Sequence, residues 1–356
     1  MYSLSPGYRV PALQRGLSPA EIVLTKLNAG AGGAVLASAL LTPPPIWTFG
    51  AVAGTALLLN VAAGRRSLAR WATVGVRHLR ERSTPDLATT SGLTWTWTLY
   101  PHHGTMQDPL TREAFHDGFA RALTFAAGQA RVAGIQLHVT HHSTAGEHTS
   151  HTQTITVHIP KGLVGYPDRV MSTIGGELAA LGVLTDATPD DVPELTDRAA
   201  GWVEFEDGRY AATARITAWP SETGGDMMPR LLLGEQAERS LSVLYRPLPA
   251  AQSRRSARWQ AAAAGAFTTD PVKQDAHSAH SGTTHGALVA GACLVDIDAY
   301  LTVWADSAES VSDARWDADL AADRHRIGLD WLTGQQPRAH LMTTPHGAPT
   351  RKGAIL

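Results

Sequence analysis

A long stretch without charged residues near the N-terminus places the strongest limit on how this chain can fold. No Asp, Glu, Lys or Arg occurs between Asn28 and Arg65, and about 20 apolar residues are enough to cross a bilayer. Three consecutive prolines, 43–45, divide the stretch, and they cannot continue a helix. Residues 21–64 therefore predict a hairpin of two transmembrane helices. A cleaved signal peptide and a buried helical hairpin of a globular domain are the alternatives.

Basic residues on both sides of this segment predict its orientation. Arg65, Arg66 and Arg70 follow the second helix. Those that precede or open the first helix are Arg9, Arg15 and Lys26. Because basic residues concentrate on the cytoplasmic side, we expect a two-pass protein of the cell membrane with most of the chain in the cytoplasm. Residues 1–20 would form a cytoplasmic tail and residues 65–92 a basic juxtamembrane stem. A charged fraction of only 17% agrees with a membrane-embedded part.

Two glycines in the second predicted helix, Gly50 and Gly54, form a GxxxG pattern. This spacing lets two helix backbones approach each other closely. The glycines therefore either pack the hairpin against itself or dock it on a helix of another subunit.

The rest of the chain alternates strand-like and helix-like segments, which predicts an α+β fold. Residues 93–255 form its first part, with apolar residues at strand spacing or helix spacing in successive segments. Residues 256–286 are rich in Ala and His, and this low complexity predicts a mobile linker. Residues 287–356 have a β-α-β order that predicts a ferredoxin-like unit. No clean sequence repeat relates the two halves.

The stretch from His138 to His158 contains six of the 16 histidines of the chain. Alternating apolar residues on either side of a polar loop predict a β-hairpin with one core-facing side. These apolar residues are Ile135, Leu137, Val139, Ile155, Val157 and Ile159. We expect the histidines on the solvated side or in the loop. A metal site is the alternative, here or at His277, His280 and His285, although the spacing matches no zinc motif.

Sequence motifs of common enzymes are missing. The chain has no GxxxxGK[ST] phosphate loop and no GxSxG nucleophile motif. Asp296 and Asp298 share one side of a predicted strand and either form a carboxylate pair or face solvent. The single cysteine, Cys293, excludes an intramolecular disulfide. A formal net charge of -2 gives no basic surface for nucleic acid. We expect no catalytic residue, no cofactor and no metal ligand.

Three passages together resemble a known family. One is the layout of residues 17–82, with two apolar segments, a short turn and an Arg-rich stem. Another is GRYAATARITAWP, which ends at Trp219 and Pro220 and is followed by LLLGEQAERSLSVLYRP. The last is IGLDWLTGQQPRAHLMTTPHG, with Gly334 and Gln336 in a Gly-x-Gln pattern. In this order they resemble EccE, a membrane component of the actinobacterial type VII (ESX) secretion system.

The resemblance implies a non-catalytic, membrane-anchored structural subunit. Its partners would be the other membrane subunits of the secretion complex and the lipid bilayer, and a separate ATPase would supply the energy. The chain departs from the family pattern at residues 344–347, where TPHG replaces Leu-Pro-Leu-Gly. The passages PRLLLG and YRPLPAAQSRR are also similar to membrane subunits of actinobacterial conjugative DNA-transfer elements, which gives one alternative. A membrane-anchored metal-dependent enzyme or sensor that uses the His clusters gives another.

Overall fold

The described residues between positions 19 and 80 are mainly helical. The computed structural model describes residues 19–39, 45–60, 62–63, 66–80, 92–105, 108–130, 134–144, 147–160, 166–188, 194–220, 231–232, 237–267 and 271–344. Helices α1 (Pro19–Ala39) and α2 (Ile46–Asn60) pack on each other. A short antiparallel pair, β1 (Ala62–Ala63) and β2 (Arg66–Ser67), and helix α3 (Leu68–Arg80) come next.

The predicted transmembrane hairpin is wrong. Within the described ranges, no helix combines the length and the apolar character needed to cross a bilayer. Helix α2 has 15 residues, which span about 22 Å against a hydrocarbon core of about 30 Å. Helix α1 has 21 residues, but it contains Glu21, Lys26 and Asn28 and is rich in Ala and Gly. The expected two-pass location in the cell membrane is corrected by the same finding.

Ten strands of the described residues form one antiparallel sheet, so the predicted α+β class is confirmed. In chain order the strands are β3 (Gly92–Pro101), β4 (Gly134–Thr144), β5 (Glu147–Pro160), β6 (Gly182–Asp186), β7 (Leu195–Arg198), β8 (Val203–Phe205), β9 (Tyr210–Ala218), β10 (Arg239–Pro247), β11 (Val295–Ala305) and β12 (Gly328–Trp331). Their order across the sheet is β6-β3-β5-β4-β10-β11-β9-β8-β7, and β12 also pairs with β9.

Six helices accompany the sheet within the described ranges. They are α4 (Pro109–Phe125), α5 (Pro167–Leu178), α6 (Ala250–Phe267), α7 (Pro271–Val289), α8 (Ala308–Arg324) and α9 (Gln336–Leu341). Side-chain caps begin two of them. Asp108 accepts hydrogen bonds from the N–H groups of Leu110 and Thr111 at the start of α4, and Ser307 accepts one from Ser310 at the start of α8. These caps satisfy amides that the first turn of a helix leaves unpaired.

Eight of the ten strands form two units with one topology, and β7 and β8 lie between them in the chain. Residues 92–186, here named unit 1, run β3-α4-β4-β5-α5-β6 and order their strands β6-β3-β5-β4. Residues 210–331, named unit 2, contain β9, β10, β11, α8 and β12 and order their strands β12-β9-β11-β10. Leu231 and Leu232 are helical in the connection from β9 to β10. This β-α-β-β-α-β order is ferredoxin-like, so the unit predicted at 287–356 extends back to β9.

A matching pair of threonines relates the two units. In unit 1, Oγ1 of Thr96 lies 3.1 Å from Oγ1 of Thr156. In unit 2, Oγ1 of Thr213 lies 2.9 Å from Oγ1 of Thr302. Each pair joins the first and third strands of its unit. The units are joined where β4 pairs antiparallel with β10, which makes the two four-stranded sheets continuous.

The first face of the sheet, defined as the face that α4, α5 and α8 cover, carries most of the apolar core. The predicted His-rich hairpin is confirmed, because β4 pairs with β5 along its length. Ile155, Val157 and Ile159 of β5 are at most 2% exposed on this face. The opposite side, named the second face, is polar and largely buried. Residues Leu332, Ala339 and Met342, in and around α9, pack on it against Leu244 and Tyr300.

Helices α6 and α7 follow β10 and precede β11 in the chain, and they pack on each other. Unit 1 has only the short β4–β5 turn at the corresponding place. The segment 256–286, expected to be a mobile linker, therefore lies mostly within two helices. The alanine run 261–264 favours the first of these helices, since alanine has the highest helix propensity.

Candidate functional site

The segment after β12 is held on the second face by Gln336, a residue of the Gly-x-Gln pattern. Its buried side-chain amide accepts a hydrogen bond from the N–H of Thr213 at 2.8 Å and donates one to the carbonyl of Thr213 at 3.1 Å. Strand β8 pairs with β9 as far as Ala211, and β12 pairs with it from Ala214 onwards. The amide of Gln336 therefore fills the gap between two edge strands, where buried backbone groups need partners.

Gly334 lies where the segment after β12 meets α3. Its φ of 79° is in the left-handed region that glycine adopts without strain. Its N–H donates to the carbonyl of Ala200 at 2.6 Å. A Cβ added at this position would lie 2.8 Å from Cγ1 of Val74, which is buried. Both the backbone conformation and the close contact with α3 thus require glycine.

Gln136 of β4 connects the two units to the end of the described chain. Its Nε2 donates to Oγ of Ser242 on β10 at 2.6 Å and to the carbonyl of Thr344 at 2.9 Å. Ser242 in turn lies opposite His138 in the β4–β10 register. The junction between the units therefore contains a buried polar network, in which an unpaired group would be costly.

Two histidines adjoin this network with incomplete hydrogen bonding. Neither ring nitrogen of His340, on α9, has a hydrogen-bond partner among the described residues, and Nδ1 of His138 also has none. The other nitrogen of His138 lies 2.8 Å from Oγ1 of Thr140. The ring of His340 packs against Phe205 and Trp304, with centroid distances of 4.6 and 5.3 Å.

Burial keeps both histidines neutral. It lowers the pKa of His138 to about 4. It lowers the pKa of His340 to about 3, and the proximity of His138 and the positive charge of Arg209 act in the same direction. Since histidine ordinarily titrates near pH 6.5, protonation of either ring opposes the folded state.

A carboxylate between two arginines lies on the second face of unit 2. Asp298 of β11 forms salt bridges with Arg215 of β9 and Arg246 of β10. Burial opposes ionisation of Asp298, but the charge of Arg215 and the hydrogen bond from Arg246 outweigh it, so the pKa of Asp298 is lowered. Burial raises the pKa of the neighbouring Tyr300 to about 12, with Asp298 contributing. The cluster joins three strands by charge, and burial keeps the tyrosine protonated.

The sequence-predicted acidic pair is divided between two environments. Asp298 belongs to this ion cluster, whereas Asp296 is exposed. No sequence motif identifies Arg215, Arg246 or His340. In each strand the arginine lies next to an apolar residue of the core-facing side and therefore on the opposite side of the sheet. This position in the alternation is the only local signal for the two arginines.

The residues predicted to pack helices lie on α2. A Cβ added at Gly50 or Gly54 would have no atom within 4 Å. The close approach of α1 and α2 occurs instead at Gly32, where a Cβ would lie 3.2 Å from Cγ1 of Val52. The role of Gly50 and Gly54 in contacting another subunit stays a prediction.

The other predicted residues lie in different parts of the fold. Arg65 is outside the described residues, Arg66 is in β2, and Arg70 is partly buried in α3. Trp219 and Pro220 follow β9 and are partly buried. The Trp219 ring packs against the apolar core of unit 2.

The predicted histidines do not share one environment. His141 and His158 are buried, so the expectation of solvated side chains is wrong for these two, whereas His151 and His285 are exposed. Nδ1 of His158 lies 2.9 Å from Oγ1 of Thr94. Side chains outside the described part are those of His142, His148, His277 and His280. Among the described residues there is no group of three or more His, Cys, Asp or Glu that could hold a metal ion.

The single thiol is a separate feature. Cys293 is partly buried near the carbonyl of Leu123, with Sγ at 3.7 Å. Burial raises the pKa of its thiol, which disfavours the reactive thiolate.

Comparison with known proteins gives no family assignment. No family model matches the chain, and no curated protein matches it.

Proposed function

We propose that this chain is a non-catalytic structural subunit of a type VII (ESX) protein secretion complex, which it joins through contacts with other subunits. The support is the resemblance to EccE in the two passages that follow the N-terminal helices. GRYAATARITAWP supplies β9, RSLSVLYRP supplies β10, and IGLDWLTGQQPRAHLMTTPHG supplies β12 and α9. These passages are distant in sequence, but their strands lie together in unit 2 and α9 packs on the second face of that unit.

The observation that carries the proposal is the hydrogen-bonded pair between Gln336 and Thr213. It joins the resembling passage around β9 to the resembling passage around α9. Trp219, at the end of the first of these passages, packs on the same core as Leu231 and Leu232. Residues that carry the resemblance thus form one packed body, as expected of a framework that positions contact surfaces.

Such a subunit acts by holding its surfaces in fixed positions. The continuous sheet links both units, and the Asp298 cluster joins three of its strands by charge. A partly buried carboxylate that is bonded to two arginines on neighbouring strands favours one arrangement of those strands. A partner that binds one unit would therefore be held at a defined position relative to the other.

Recovery of partners from the native cells tests the proposal. The tagged full-length chain is cross-linked in cells, purified, and its partners are quantified by mass spectrometry. We expect type VII secretion subunits at a fixed ratio to the chain and their absence with an unrelated protein that carries the same tag. Recovery of conjugative DNA-transfer subunits instead, or of no partner at a fixed ratio, would contradict it.

A further inference from the structure

Helix α8 presents an outward stripe with an acidic N-terminal end and an apolar centre, and at its C-terminal end Asp323 lies beside the basic Arg324. Its inward residues Val311, Ala314, Ala318 and Ala322 are buried in the core of unit 2. The outward residues at helical spacing are Glu309, Asp313, Trp316, Leu320 and Asp323, here named the acidic stripe, and all are exposed. Trp316 is 69% exposed. An exposed tryptophan beside a leucine with a charged rim is typical of the centre of a protein–protein contact.

Helix α6 presents an outward stripe of opposite charge. Exposed residues Ala251, Arg254, Arg255, Arg258 and Ala261, here named the basic stripe, follow the same helical spacing. Helix α6 contains no Asp or Glu. Its three arginines therefore form a purely basic surface with small residues at both ends.

The two stripes match in spacing as well as in charge. Along α8, Glu309, Asp313 and Trp316 are separated by four and then three residues. In the reverse direction along α6, Arg258, Arg254 and Ala251 have the same separations. Two antiparallel helices in this register bring Glu309 to Arg258 and Asp313 to Arg254. They also place the large indole of Trp316 against Ala251. Close helix packing needs such a combination of a large and a small side chain.

We propose that copies of this chain associate with each other through the acidic stripe of one copy and the basic stripe of the next. Within the described residues the two stripes are exposed, so they do not cover each other in a single chain. Since every copy carries both stripes, a twofold dimer uses the contact twice, and any other arrangement forms a closed ring or an open filament. The proposal holds whether or not the chain belongs to a secretion complex.

Charge reversal in both stripes provides the test. One full-length variant carries Glu309→Lys, Asp313→Lys and Asp323→Lys, and its self-association is measured by sedimentation velocity at several concentrations. The other carries Arg254→Glu, Arg255→Glu and Arg258→Glu. We expect the wild type to associate, more weakly at high salt, and each variant alone to associate at least tenfold more weakly. A one-to-one mixture of the two variants should regain association, because each then offers the stripe that the other needs.

Matched variants separate the stripes from net charge and from folding. A control with Glu113→Lys, Asp117→Lys and Glu206→Lys changes the net charge equally at exposed sites elsewhere, and it should associate like the wild type. Trp316→Ala should weaken association at least tenfold, as for a central interface tryptophan. Tyr166→Ala, at a residue 78% exposed on α5's N-terminal side, should have no effect. Circular dichroism checks that every variant is folded.

Three results would overturn the proposal. The wild type could remain monomeric at every concentration and salt. The control variant could lose association as strongly as the stripe variants, which would assign the effect to net charge. The mixture of the two stripe variants could also fail to associate although both are folded.

Discussion

Replacing His340 with phenylalanine tests the buried polar junction between the units. The wild-type ring lies against Phe205 and Trp304, and neither of its nitrogens has a partner among the described residues. A buried polar group without a hydrogen bond costs roughly 1–3 kcal/mol. Phenylalanine keeps the ring and removes both nitrogens, and a slightly larger ring costs less than about 1.5 kcal/mol. We expect His340→Phe to raise the free energy of unfolding at pH 7.5 by about 1–2 kcal/mol.

The same substitution should reduce acid sensitivity. The pKa of His340 is about 3 in the folded chain and near 6.5 when unfolded. Between these two pH values the unfolded state therefore binds more protons than the folded state. The contribution of neutral His340 to the free energy of unfolding is complete above pH 6.5 and falls as the pH decreases towards 3. At 1.36 kcal/mol per pH unit, the wild type loses about 2 kcal/mol through His340 between pH 6.5 and pH 5. His340→Phe should not show this part of the loss.

Urea unfolding at pH 7.5 and pH 5, followed by tryptophan fluorescence, measures both effects. His103→Phe, at an exposed position after β3, is the control and should change stability by less than about 0.5 kcal/mol. If His340→Phe is less stable than the wild type at pH 7.5 and equally acid-sensitive, the ring is not a neutral, unsatisfied group in the folded chain.

Three further substitutions test the core and the segment after β12 by urea unfolding. Val157→Asp buries a carboxylate at a position with 0% exposure and should abolish the folded state, whereas Thr152→Asp, exposed on the same strand, should change stability by less than about 0.5 kcal/mol. Gln336→Leu should cost about 1–3 kcal/mol, because the N–H of Thr213 loses its partner, whereas its carbonyl still accepts from the N–H of Leu332. Gly334→Ala should cost about 1–3 kcal/mol through its positive φ and its contact with α3.

Two variants serve as references for these values. Gly208→Ala has the same φ of 79° but no atom within 4 Å of the added Cβ. This variant measures the cost of the backbone conformation alone. Equal losses of stability in Gly208→Ala and Gly334→Ala would therefore contradict a cost from the close contact with Val74. Gln153→Leu replaces a partly exposed glutamine on β5. A loss there as large as at Gln336 would mean that the paired amide has no special role.

Local sequence patterns predicted several elements because those elements depend on neighbouring residues. The period-two alternation around Val157 identified the β4–β5 hairpin and its buried side. The Asp207-Gly208 dipeptide lies in the turn between β8 and β9, where Gly208 has a positive φ. In the β4–β5 hairpin the alternation of side chains itself fixes which face is buried.

Features that depend on distant contacts were not predictable. The alternation of apolar and polar residues predicts β4 and β10 as strands, but it does not specify that they pair with each other. The paired residues lie about 100 positions apart in the sequence. Burial of His340 likewise arises only when α9 lies on the second face. The resemblance singled out Gln336 but not its partner Thr213. At the N-terminus, absence of charge suggested a membrane hairpin, although the resulting helices are too short or too weakly apolar.

Protein export by the native cells tests the proposed role most directly. Culture-medium proteins are quantified from cells that lack the chain, from the same cells with the wild-type chain restored, and from cells that carry the Trp316→Ala variant. We expect type VII substrates to disappear from the medium without the chain and to return with the wild type, while other exported proteins stay constant. The variant reports whether the exposed stripe of α8 contributes. Undiminished export of type VII substrates in the absence of the chain would contradict its role as a structural subunit of that system.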